Sequence, residues 1–156
     1  MTQEIKAGIG LDSLRFGMSK EEVENILGKP NEIDTHTDNN EDDGATESWH
    51  YDDQELSISF EEIDDFKLFS IAVSNKSYKF KNKKLIGLKK KELIEELEAL
   101  AIDDLKTEDW STDDNLGQEL IFSEKLSINF WMEDGELSEI QWGPLLEDEG
   151  YIIWPE

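Results

Sequence analysis

The side chains with chemical reach in this chain are two histidines, five tryptophans and thirty-nine carboxylates. His36 and His50 stand fourteen residues apart, the first in a polar stretch and the second in an alternating one. No serine or cysteine nucleophile motif accompanies them, so nucleophilic catalysis is not expected. Carboxylates catalyse proton transfer when two of them share a pocket and their pKa values are driven apart, and abundance alone does not identify such a pair. The run Asp38-Asn39-Asn40-Glu41-Asp42-Asp43-Gly44 has the look of a calcium loop. Its frame fails: counted from Asp38 the glycine comes one place late, and counted from Asn39 it is His50 that falls where the bidentate glutamate belongs. Gly8-Ile9-Gly10 is a bare glycine pair without the helix that a phosphate cradle requires. With no cysteine there is neither a thiolate metal site nor a disulfide. The chain is therefore expected to be non-enzymatic and to hold no metal or cofactor.

Tryptophans suggest binding instead. Trp49, Trp110, Trp131, Trp142 and Trp154 are more than a small core needs. Strand parity puts Trp142 on the buried face with Ile140, and Trp131 on the opposite, open face with Ser127 and Asn129. Ser57 and Ser59 occupy the open face of an earlier strand, so Trp131, Ser57, Ser59, Ser127 and Asn129 form the expected partner-binding set. The competing expectation is that Trp131 begins a turn and folds over the sheet edge.

These residues depend on elements that repeat. At an offset of seventy, Phe16-Gly17-Met18 falls on Ile86-Gly87-Leu88, and Glu22, Val23 and Leu27 fall on Glu92, Leu93 and Leu97. At the same offset Leu56-Ser57-Ile58-Ser59-Phe60 falls on Leu126-Ser127-Ile128-Asn129-Phe130, and one gap later Leu68-Phe69-Ser70-Ile71 meets Leu137-Ser138-Glu139-Ile140. Ser19-Lys20-Glu21-Glu22 has the pattern of a capping box, Val23, Ile26 and Leu27 make a helical stripe, and Gly28-Lys29-Pro30 stops it. A second helix is predicted from about Lys89 to Leu100, with Leu93, Ile94, Leu97 and Leu100 inward and three lysines opposing the dipole at its start. Strands are predicted over Glu47–Tyr51, Leu56–Phe60, Lys67–Val73, Glu119–Phe122, Leu126–Phe130 and Glu136–Trp142, with a hairpin at Glu133-Asp134-Gly135. The acid-rich segment from Asn31 to Glu47 has one large apolar side chain, Ile33, and is expected to be a mobile loop.

The expected fold class is α+β: a single domain over 1–156 of two tandem helix-plus-antiparallel-sheet modules, with the helices packed on one face of the sheet. Repeat 1 spans 12–73 and repeat 2 spans 82–142, joined through a Lys-rich connector, 76–91, that runs into the second helix. Phe16 to Val23, followed by Ile26-Leu27-Gly28-Lys29-Pro30, resembles the start of the repeat shared by β-lactamase-inhibitor-protein-like domains and small outer-membrane-assembly lipoproteins. The tandem arrangement is similar to that of the inhibitor proteins, and it implies one continuous sheet with a concave face that grips a protein partner. The second copy, Ile86-Gly87-Leu88, lacks the Gly-x-Pro of the first, so the resemblance carries over no individual binding residue.

Charge narrows the partner. A formal net charge of −24 repels phosphate backbones and anionic membrane surfaces, which argues against nucleic acid and membrane partners. Eight lysines between Lys76 and Lys91 lie in an acid-free run, read either as a functional basic strip or as a Lys-rich edge strand that blocks edge pairing. The opening residues lack a basic segment followed by an apolar one, and the absence of cysteine fits a reducing compartment, so a cytoplasmic location is expected. The functional expectation is a protein-binding module, an inhibitor or immunity-type protein acting on a basic partner such as a nuclease toxin, with DNA mimicry as a variant. The alternatives are a scaffold that dimerises through its sheet and a small-ligand sensor.

Overall fold

The computed structural model describes residues 3–37, 44–114 and 117–155. The chain opens with β1 (Glu4–Lys6), β2 (Gly10–Leu11) and β3 (Leu14–Arg15), which join β8 (Lys79–Phe80) in a small sheet ordered β3-β2-β1-β8. The main sheet holds β4 (Glu32–Thr37), β5 (Ala45–Tyr51), β6 (Leu56–Glu61), β7 (Lys67–Val73), β9 (Lys106–Asp109), β10 (Glu119–Ser123), β11 (Ile128–Glu133) and β12 (Glu136–Trp142). Its order is β4-β5-β6-β7-β12-β11-β10-β9, antiparallel at every step. A hairpin of β13 (Leu145–Leu146) and β14 (Ile152–Ile153) ends the fold, and the two helices are α1 (Lys20–Leu27) and α2 (Lys90–Ala99).

This architecture corrects the expected fold class. Strand accounts for 45% of the described residues and helix for 14%, so the protein is β-rich rather than an α+β pair of helix-plus-sheet modules. The helices are only eight and ten residues long and contribute three fully buried side chains, Val23, Leu93 and Leu97. The sequence hid several strands for a physical reason. Every residue of β4 and β9 is exposed, so neither shows the apolar alternation that marks a half-buried strand, and β1, β2, β3 and β8 are too short to show any period. The acidic segment from Asn31 to Glu47 is corrected in the same way. Its described parts are β4 and the start of β5, paired from Glu32 opposite His50 to Thr37 opposite Ala45, and the rest, 38–43, lies outside the described residues.

Local signals set the helix ends. Ser19 Oγ accepts from the Glu22 N–H at 3.2 Å while Glu22 Oε1 accepts from the Ser19 N–H at 3.2 Å, a reciprocal cap. In α2 the capping position is Lys89, whose ammonium cannot accept, and only the Glu92 half of the device remains, at 3.4 Å. Ile26, expected in the apolar stripe of α1, is 42% exposed; an eight-residue helix touching the sheet along one line buries only Val23 fully. Gly17 and Gly87 do equivalent work ahead of the helices. Both take positive φ, 98° and 101°, and their N–H groups donate to Leu68 and Leu137 at 2.9 and 2.8 Å.

Strand register departs from the offset of seventy. Leu56 stands opposite Val73 and Ile58 opposite Ile71, whereas Ile128 stands opposite Trp142 and Phe130 opposite Ile140. Leu56 therefore matches Ile128, not Leu126, and the LSISF and LSINF segments lie two residues out of structural register. The turns agree: Glu55, at φ 49°, precedes β6 as Ser127, at φ 52°, precedes β11. A slip of two preserves side-chain parity, so inward residues stay inward. One expected site residue changes place, because Ser127 occupies the turn and not the strand.

The core lies between the inner face of the main sheet and a layer made by the small sheet with the two helices. Phe80 of β8 meets Phe130 of β11 edge to face with centroids 6.5 Å apart, and the buried Trp142 indole donates to the Gly10 carbonyl at 3.0 Å. Tyr51, whose hydroxyl donates to the Gly28 carbonyl at 2.9 Å, is pushed up to about 12 by burial and then by Glu24. The Lys-rich segment contributes β8, the outer strand of the small sheet, where lysine discourages further pairing.

Candidate functional site

Because the helices and the small sheet occupy one face of the main sheet, the opposite face is left to solvent. Its rows follow from the register. One runs Glu32, His50, Ser57, Ala72, Gln141, Asn129, Phe122 and Lys106 across all eight strands, and the next carries Glu139, Trp131, Leu120 and Glu108. Ser48, Ser59 and Ser70 form a third. Ser57, Ser59, Asn129 and Trp131 thus share the open face, and Ser127 borders it from its turn. Trp131 is in mid-strand, so the expectation that it begins a turn does not describe its position.

The floor is hydrogen-bonded. Trp131 Nε1 donates to Gln141 Oε1 at 3.3 Å, Gln141 Nε2 donates to Ser70 Oγ at 3.4 Å, and the Ser48 and Ser59 hydroxyls are 3.2 Å apart. Such links hold the rings and amides of a face that neither the helices nor the small sheet covers. Trp131 meets Trp110 edge to face with centroids 5.4 Å apart, and Trp110, just beyond edge strand β9, remains 49% exposed. Sequence reasoning counted Trp110 without placing it, since β9 gives no periodic signal.

Electrostatics on this face are uneven. Glu139 stands opposite Trp131, and burial pushes its carboxyl above the ordinary glutamate range. The cation in the rows, Lys106, is held by Glu124 at 3.0 Å. At the β10–β11 turn, Asp104 accepts from the Lys125 N–H at 3.0 Å and from Ser123 Oγ at 2.7 Å, bonds that hold its carboxyl below the ordinary aspartate range and fix the turn beside Ser127.

One constellation escaped the sequence. His50 Nδ1 lies 2.8 Å from Ser57 Oγ and His50 Nε2 lies 2.9 Å from Asp34 Oδ2, which brings serine, histidine and aspartate together across β6, β5 and β4. Only the pairing of β4 could have revealed it. Ser57 sits in an interior strand whose amides are paired in the sheet ladders with β5 and β7, unlike the free amides of an oxyanion hole. Asp34 is exposed on an edge strand rather than buried behind the imidazole. The array's evident work is to tie the edge strand to the interior of the sheet. Among the described residues, no three His, Asp or Glu side chains gather closely enough to hold a metal ion. No described helix is long and apolar enough to cross a membrane.

No protein-family model, no curated protein and no solved structure matches this chain.

Proposed function

We propose that this protein is a non-enzymatic protein-binding module of the inhibitor or immunity type, which engages a basic protein partner with the open face of its main sheet. The observation that carries this reading is the Trp110–Trp131 pair, set on a polar, hydrogen-bonded floor beside the partly desolvated Glu139. Large rigid rings flanked by small polar side chains supply much contact area at little entropic cost. The net charge of −24 supplies the long-range attraction for a cationic surface and disfavours anionic ones. The resemblance of Phe16–Val23 to the inhibitor repeats is in line with this role, and the absence of cysteine with a reducing, cytoplasmic setting. Pairing of two copies through the sheet edge is less favoured, because β4 carries Glu32 and Asp34 on a fully exposed edge and would meet like charge.

The test is affinity capture from the native host at low and high salt, followed by kinetics on the captured protein. Trp131→Ala is expected to speed dissociation, by about 2 kcal/mol in affinity for a buried anchor. Replacing Glu32, Asp34 and Glu108 by their amides is expected instead to slow association and flatten its salt dependence. Capture of partners that bind Trp131→Ala as tightly as the parent protein would overturn the assignment of this face.

A further inference from the structure

The floor of the open face ends in a groove of about 880 Å³ beneath the C-terminal hairpin. The hairpin is fastened on its far side. Pro144 bridges to Gly8, Leu145 packs over Gly8, and Trp154 lies against Gly17 with the Lys67 ammonium 5.3 Å from its ring. Its turn, closed by the Gly150 N–H donating to Glu147 at 2.8 Å, overhangs the sheet and brings Glu147 and Asp148 to the rim. Phe69, displaced from the regular pleat where the β6–β7 register shifts, and Phe122 form apolar walls with Leu146, and Ser127 and Asn129 lie on the floor.

The lining has unspent polar capacity, and its charged part is negative. Among the described residues the half-buried Asn129 amide and the Ser127 hydroxyl have no hydrogen-bond partner, and neither Glu147 nor Asp148 is engaged by a cation. The one lysine in the lining, Lys125, has its ammonium paired with Asp103 at 3.0 Å. A ligand for this groove needs a flat or aliphatic body for the phenylalanines, several donors, and positive charge at the rim. An arginine side chain meets all three requirements, because its guanidinium stacks on aromatic faces and donates in a planar fork to amide and carboxylate oxygens. A volume of this size also exceeds what one methylene-bearing stem fills, leaving room for the flanking peptide.

We propose, resting on the protein-binding role above, that this groove receives an arginine-bearing segment of the basic partner, with the guanidinium between Asn129 and the Glu147–Asp148 rim. The probe is acetyl-glycyl-arginine amide titrated into the full chain, followed by amide shifts, with the neutral, equally shaped citrulline peptide as comparison. The expected result is saturable shifts at the Asn129 and Gln141 side-chain amides and along 143–150, with a dissociation constant of roughly a millimolar for so small a ligand. Citrulline should bind about tenfold more weakly, in keeping with loss of a charge-assisted contact. The double variant Glu147→Gln and Asp148→Asn should weaken the arginine peptide about fivefold. The charge-matched pair Glu21→Gln and Glu24→Gln on α1 should leave it unchanged. Equal binding of the citrulline peptide, shifts confined to other surfaces, or no saturable shift would overturn the proposal. If that happens while a captured partner still depends on Trp131, the groove assignment alone fails. A groove that takes the arginine peptide in a protein whose partners ignore Trp131 would instead remove the role given to the aromatic pair.

Discussion

Trp110 and Trp131 touch edge to face although they are twenty-one positions apart in sequence with β10 between them, because edge strand β9 runs one row past Glu108, the residue in line with Trp131, and sets Trp110 opposite Gln118 within reach of the Trp131 ring. The exposed ring shields the half-buried one, and the Trp110 indole donates to Glu108 at 3.3 Å. This contact joins an edge with no apolar period to the centre of the open face. Removing the outer ring should therefore affect binding more than folding.

Trp110→Ala is expected to lower unfolding stability by about 1 kcal/mol or less, the usual scale of an aromatic pair. Its larger effect should be on partner dissociation. Denaturant titration followed by dissociation rates on a captured partner checks both. A loss of folding stability near 3 kcal/mol with unchanged dissociation would make Trp110 part of the core.

Trp142 tests the junction of the two sheets. Its indole N–H is the donor to the buried Gly10 carbonyl, 132 positions away in sequence. Trp142→Phe keeps a ring in the core but leaves that carbonyl unpaired and a gap beside it, at a cost of about 2 kcal/mol or more. A urea midpoint indistinguishable from the parent protein would show that the N-terminal sheet does not depend on this bond.

Glu139 gives stability a specific pH dependence. Its folded carboxyl is pushed above the ordinary glutamate range by burial, so between the unfolded and folded values the native state holds the extra proton. This contribution favours folding at acid pH and is lost as pH rises through the raised value. Glu139→Gln removes the partly buried charge and is expected to stabilise the protein at pH 7 by a fraction of a kcal/mol, since the carboxylate is still partly solvated. The advantage should vanish below the ordinary glutamate range, where Glu139 is neutral in both states. Thermal unfolding of both proteins from pH 3.5 to pH 8, ordinary limits for carboxylate titration, decides it: an advantage that does not change with pH would mean that packing, not charge, sets the difference.

By itself the sequence determined which way the central strands face. Leu56, Ile58 and Phe60 alternate with Ser57 and Ser59, burial follows that alternation, and parity survives a register slip of two. Ser19 with Glu22, and Asp134-Gly135 at positive φ between paired Glu133 and Glu136, were legible because a cap and a tight turn are made by neighbours in sequence. Tertiary structure decided the rest. It set Leu56 against the frame of Ile128 rather than Leu126, since register follows the preceding turn and the bulge in the pairing, not the similarity of five letters. It made strands of β4 and β9, which gain ladder bonds at a sheet edge while burying no side chain. It brought Asp34 to His50, Trp110 to Trp131 and the hairpin turn over Asn129. Those meetings depend on which strands become neighbours, a choice made by burial of the shared core and not encoded in the period of any one segment.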